Sequence, residues 1–193
     1  ITASSSHQTA ALPDGTEVTL ASGASISYRM KDTREVRMDG KVFFDVARDE
    51  ARPFEIDADG AFVKVLGTEF MVDASDDAAA KVYVEDGKVF FAKNPDSEGV
   101  VLTKGMGASI VEGADAPVLD ETPDINSIAW QRGSFIFENT PLKDVLQCLS
   151  EYYHVSFVAN DLSKRLSGEF GTDDLDLIIE LIESALDVTI VCK

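Results

Sequence analysis

The chain has 193 residues, 45% of them hydrophobic, and a formal net charge of −18. That is enough apolar material for one large or two small packed domains, and it excludes a disordered chain. Residues 1–113 carry 12 basic and 20 acidic groups and residues 114–193 carry 5 and 15, so both halves repel a phosphate backbone; nucleic acid is disfavoured, and a charged partner would be a basic protein.

Residues 1–10 read as a polar leader. The sequence starts at Ile1, has no signal peptide and has no run of 18 apolar residues, so it reads as an excised soluble piece of a longer protein.

Residues 11–112 read as strand and turn throughout. Val18 and Leu20, then Ile26 and Tyr28, alternate around Ser22-Gly23. Val36 and Met38 precede Asp39-Gly40, which has the chemistry of a hairpin turn, since Asp and Gly both tolerate positive φ. Val42, Phe44 and Val46 share one face and Phe43 takes the other. Phe54 and Ile56 lead to a turn at Asp59-Gly60, and Val82 and Val84 lead to another at Asp86-Gly87. Short alternating segments set off by glycine predict an all-β domain, either a many-stranded sandwich or a short solenoid.

Residues 113–127 lose the alternation and hold two prolines and four acids, the composition of a linker. Residues 128–193 change pattern. A strand at Ser134–Phe137 precedes a helix capped by Asn139 or Thr140, with Leu142, Val145, Leu146, Leu149 and Tyr153 on one stripe, and Val155–Val158 follows as a strand. The order repeats: Leu166–Phe170, a cap in Thr172-Asp173, a stripe of Leu175, Ile178, Ile179, Ile182 and Leu186, then Val188–Val191. Neither β-α-β unit can cover its own sheet, so the two are expected to form one small α+β domain.

No catalytic constellation emerges, and the chain is not read as an enzyme. His7 lies in the leader and His154 at a helix end. The many carboxylates have no distinctive context for a glycosidase pair. Asp57 with Asp59, and Asp73 with Asp76 and Asp77, lack the spacing of a calcium loop and read as solvated turns. Gly105-Met106-Gly107 lacks the Lys-Ser/Thr and helix of a phosphate loop. Trp130 reads as an apolar plug. Cys148 and Cys192 lack metal-ligand spacing and admit either two buried thiols or one bond between them. No cofactor or metal is expected.

Several phrases carry a family resemblance: Leu12-Pro13-Asp14-Gly15-Thr16, Gly40-Lys41-Val42-Phe43-Phe44-Asp45-Val46-Ala47, Arg52-Pro53-Phe54, Val65-Leu66-Gly67-Thr68-Glu69-Phe70 and Val84-Glu85-Asp86-Gly87-Lys88-Val89. In this order they resemble the extracytoplasmic β domain of FecR-family anti-sigma regulators. One departure is Gly40-Lys41-Val42-Phe43, where a Gly-Glu-Ala-Tyr/Phe phrase is commoner. Trp130, Phe135-Ile136-Phe137-Glu138-Asn139-Thr140-Pro141-Leu142 and Leu166-Ser167-Gly168-Glu169-Phe170 resemble the C-terminal domain of the Bacteroidetes versions, which is similar to the short domain at the N-terminus of secretins and TonB-dependent transporters.

The resemblance implies a periplasmic sensor region of an inner-membrane protein, anchored by a membrane helix upstream of Ile1. Its partners would be the N-terminal signalling domain of a TonB-dependent (SusC-like) transporter and, through a cytoplasmic part outside this sequence, an extracytoplasmic-function sigma factor whose release it controls. It also implies a glycan-uptake system more than a siderophore one. The alternative is a carbohydrate-binding or structural envelope β protein, which an exposed aromatic row on one sheet would favour. No contact residue is assigned; the free edge of either β-α-β unit and the strand around Phe43–Val46 are the candidate surfaces.

Overall fold

The computed structural model describes residues 1–193 apart from positions 5, 30, 32, 59, 77, 78 and 112. The chain divides into two compact units, Ile1–Asp124 and Ile125–Lys193.

The strands of the first unit are β1 (Gln8–Ala11), β2 (Glu17–Leu20), β3 (Ser25–Arg29), β4 (Arg34–Asp45), β5 (Phe54–Asp57), β6 (Phe62–Val65), β7 (Glu69–Asp76), β8 (Ala79–Asp86), β9 (Lys88–Ala92), β10 (Gly99–Thr103), β11 (Gly107–Val111) and β12 (Val118–Leu119). Among the described residues these form one continuous sheet of twelve strands. It folds on itself as two layers. Layer A runs β10-β9-β6-β5-β4-β3 and layer B runs β1-β2-β4-β7-β8-β11-β12, so β4 belongs to both. The architecture is mainly β, a sandwich closed towards a barrel.

The double membership of β4 corrects the expected hairpin at Asp39-Gly40. The strand does not turn back there. Residues 35–39 pair with β3, residues 40–45 pair with β7, and Gly40 at φ +83° bends the strand between the layers. Asp86-Gly87 behaves the same way. With Gly87 at φ +94°, β8 in layer B runs on into β9 in layer A, and the two do not pair with each other. The turn expected at Asp59-Gly60 falls partly on Asp59, outside the described residues, but Ala58 N–H does donate to Ala61 O across it at 2.9 Å.

Strand alternation fills the space between the layers. Val36, Met38, Ile56, Val63 and Phe91 from layer A meet Val18, Val42, Phe44, Phe70 and Val84 from layer B in one core. The Phe44 ring stacks on Phe70 at 5.3 Å within layer B and meets Phe54 of layer A edge-on at 6.0 Å. The stretch read as a leader joins this body. Ala3 is buried in the core, its N–H donates to Ala24 O at 3.0 Å, and β1 extends layer B.

The second unit holds a 3₁₀ turn (Ile125–Ile128), α1 (Ala129–Arg132), β13 (Ser134–Pro141), α2 (Leu142–Tyr153), β14 (Phe157–Ala159), β15 (Arg165–Gly171), α3 (Leu175–Leu186) and β16 (Ile190–Cys192). The strand β13 pairs antiparallel with β15, and β14 with β16. Each β-α-β unit therefore contributes one strand to each two-stranded sheet. A two-stranded sheet is marginal alone. Here the inner faces of both helices supply what it lacks, because Val145, Leu146, Leu149, Ile178 and Ile182 share a core with Phe135, Phe137 and Ile190.

The helix starts differ from the expected caps. The N-cap of α2 is Pro141, with no side-chain bond. Asn139 instead sits at φ +49° in a bulge of β13, where its backbone and side-chain oxygens accept from Arg165 Nε at 2.7 and 2.9 Å. The cap of α3 falls one residue later than Thr172-Asp173: Asp174 Oδ1 accepts from Leu177 N–H at 3.0 Å.

Candidate partner-binding surfaces

The most heavily buried polar cluster is structural. Asp14, in the turn before β2, faces Arg34 at the start of β4, and their side chains are 6% and 1% exposed. Arg34 Nε donates to Asp14 Oδ2 at 2.8 Å, Nη1 to Arg52 O at 3.0 Å and Nη2 to Ala47 O at 2.6 Å. The guanidinium carbon lies 5.2 Å from the centre of the Phe54 ring. Asp14 also accepts from Thr16 N–H at 3.1 Å and Thr16 Oγ1 at 2.9 Å, while Thr16 Oγ1 accepts from Ala47 N–H at 3.2 Å. One charged pair thus ties the 12–16 turn to the 47–52 loop. Sequence reading missed Arg34. The available signal was its parity: it is in phase with the core-facing Val36 and Met38, a cation at an inward position that needs a buried counter-charge.

The other candidate residues do not converge. His7 is exposed just before β1, and His154 is the exposed left-handed C-cap of α2 at φ +55°. Asp57 pairs with Arg37 at 2.8 Å. Asp73 pairs with Lys41 at 2.9 Å and accepts from Ser75; burial pushes its carboxyl up, but Ser75 and Lys41 outweigh that and hold it below the usual range. Their proposed calcium companions Asp59 and Asp77 lie outside the described residues. No group of three or more His, Cys, Asp or Glu able to hold a metal occurs among the described residues. Cys148, half buried on α2, and Cys192, exposed on β16, are not joined, so the expectation of two buried thiols fails at Cys192. Gly105-Met106-Gly107 forms the turn from β10 to β11, where Gly105 N–H donates to Val84 O at 2.8 Å. Trp130 is half buried on α1. Phe43, Phe44 and Val46 are buried, so within that stretch only Asp45 is exposed.

Three surfaces stand out among the described residues. On the outer side of layer A an open cleft of about 770 Å³ is lined by residues including Tyr28, Arg29, Glu35, Arg37, Asp57 and Lys93. Its arginines are engaged, Arg29 with Glu35 at 3.1 Å and Arg37 with Asp57 at 2.8 Å.

On layer B, Glu17, Asp45, Glu69 and Asp86 stand opposite one another across β2, β4, β7 and β8. Burial first, then Asp45 and Asp86, push the Glu69 carboxyl up. A raised carboxyl penalises the folded state above its own folded pKa, and the penalty vanishes below the unfolded value. Glu69→Gln is therefore expected to stabilise the chain at pH 7 by about 0.2–1 kcal/mol. The gain should disappear below about pH 4, as measured by urea midpoints at the two pH values.

The third surface is in the second unit, where Val158 of β14 and its partner Val191 of β16 are exposed, as are Leu177 and Leu181 of α3.

Family models match in chain order. The model described as FecR protein matches residues 1–90, and that described as FecR, C-terminal, matches residues 134–193. The chain belongs to the FecR family. Two crystal structures of a proposed anti-sigma factor from Parabacteroides distasonis are similar to it. One has 27% identity and TM-score 0.65 over 100% of this chain and 97% of that one. The other has 28% identity and TM-score 0.64 over 96% and 90%. A comparison with curated proteins found no match.

The FecR phrases acquire physical roles here. Leu12 to Thr16 holds Asp14 against Arg34. In Val65 to Phe70, Gly67 passes so close to Arg48 that an added Cβ would lie 2.7 Å from its Cα, and Thr68 Oγ1 donates to Lys88 O at 3.0 Å. Strands β10 to β12, beyond the first matched segment, complete the FecR sheet. The second match begins at β13 and takes in both β-α-β units.

Proposed function

We propose that this chain is the periplasmic sensor region of a transmembrane anti-sigma regulator. It binds the N-terminal signalling domain of a TonB-dependent transporter and thereby controls release of an extracytoplasmic-function sigma factor held by a cytoplasmic part of the same protein. FecR-family proteins are regulators, and an anti-sigma regulator implies a sigma-factor partner. The observation that carries the reading is the succession of both FecR models over the two units, together with likeness to proposed anti-sigma factors along nearly the whole chain. The architecture suits the role, since it offers free strand edges and exposed apolar side chains for a protein partner. No described helix is long and apolar enough to cross a membrane; anchoring on this reading falls to a segment elsewhere in the protein. The carbohydrate-binding alternative gains no support from aromatic side chains, because Tyr28 is the one exposed aromatic among the described residues.

Calorimetric titration of the chain with the purified N-terminal signalling domain of a TonB-dependent transporter from the same organism is expected to give saturable binding with a Kd in the micromolar range or tighter. No binding at concentrations up to about millimolar, where association is worth only about 4 kcal/mol, would sink the proposal.

A further inference from the structure

The second unit is built twice on one plan, yet its two helices differ on the side turned to solvent. The exposed positions of α2 are polar: Lys143, Asp144, Gln147 and Glu151. In α3 the inner face is closed by Ile178 and Ile182, while Leu177 and Leu181, one turn apart on the outer side, are 49% and 47% exposed. The core does not need this pair, because the inward stripe is complete without it. The segment 173–187 also holds six carboxylates and no Lys, Arg or His. Two of them serve the fold, Asp174 as the helix cap and Glu183 by accepting from Ile190 N–H at 2.6 Å. Asp176 and Glu180 are exposed beside the leucines and stand four residues apart, an arrangement of like charges that weakens an isolated helix.

We infer that the Leu177–Leu181 face of α3 is the docking site for the transporter signalling domain, which meets it with an apolar patch rimmed by Lys and Arg. The inference rests on the reading under Proposed function and adds the location and the chemistry of the contact. Charge selects the occupant. An anionic lipid surface or a nucleic acid would set negative charge against these carboxylates. A second copy of this chain, itself at −18, would do the same. A partner with a basic rim places its charges opposite Asp176 and Glu180 while the two leucines leave water together.

The test titrates the whole chain with the purified signalling domain at two salt concentrations. Leu177→Ser with Leu181→Ser is expected to weaken binding about tenfold or more, the effect of removing a small apolar hot spot. Asp176→Asn with Glu180→Gln leaves the packing untouched and should lower the association rate and flatten its salt dependence. Lys143→Ala with Gln147→Ala, on the outer face of α2, should change neither. Wild-type binding that survives the leucine exchange overturns the site but leaves the proposed function standing. A salt dependence unmoved by the carboxylate exchange overturns it equally, even if the leucine variant fails to fold. Failure of the wild-type chain to bind overturns both.

Discussion

Replacing Arg34 by Met is expected to destabilise the first unit by about 3–5 kcal/mol, a large fraction of the roughly 5–15 kcal/mol that holds a domain together. The guanidinium is 1% exposed and Asp14 6%. Removing the cation strands a carboxylate that water cannot reach, and it leaves Ala47 O and Arg52 O without their donor. The companion single variant, Asp14→Asn, keeps an acceptor for Thr16 but strands the cation, so it should also be strongly destabilising. The double variant, Arg34→Met with Asp14→Asn, retains the acceptor and buries no unpaired charge. It should be more stable than the sum of the two single losses by about 0.5–3 kcal/mol. Far-UV circular dichroism of strand content in urea follows the first unit. Fluorescence of Trp130, the one tryptophan, lies in the second unit and serves as an internal reference. Additive losses would mean that Asp14 and Arg34 do not act as a pair.

Sequence patterning was most legible where a period of 3.6 or 2 is written in apolar residues. The stripes Leu142-Val145-Leu146-Leu149 and Ile178-Ile182 became the inner faces of α2 and α3, and the alternation from Val18 to Ile110 became strands lining a single core. Glycine function was not legible. Asp39-Gly40 and Asp59-Gly60 look alike in composition, and both glycines take positive φ, but one bends a continuous strand and the other belongs to a turn. The glycine φ is similar in each, +83° and +97°. What differs is the strands that lie alongside, and that information is long-range. Boundaries moved for a similar reason: Pro141 could not donate to the ladder, yet β13 persists to it because Arg165 lies opposite. The candidate contact surface was half legible. Leu177 and Leu181 fall outside the helical stripe, a visible irregularity, but only the packed unit distinguishes an exposed leucine from one covered by a neighbouring strand.

The bend at Gly40 yields a second large effect, and a neighbouring glycine separates its two causes. An alanine at Gly23, φ +84°, would have nothing within 4 Å of its Cβ, so Gly23→Ala bears only the left-handed backbone, about 1–2 kcal/mol. An alanine at Gly40, φ +83°, has the same backbone strain, but its Cβ would lie 2.9 Å from both Cα and Cβ of the buried Ala24. Neither of those atoms can rotate away, so overpacking adds about 1–3 kcal/mol. Gly40→Ala should therefore lose about 2–5 kcal/mol in all, with the urea midpoint moving and the slope unchanged. Both residues are glycines at nearly one φ in one unit, so their difference isolates the close approach of the chain where β4 passes from layer A to layer B. Equal losses at the two positions would mean that Ala24 yields to the new methyl group and that backbone conformation alone fixes the corner. A loss at Gly40 exceeding that at Gly23 by the overpacking amount places the constraint in the crossing itself, which is what obliges one strand to serve both layers.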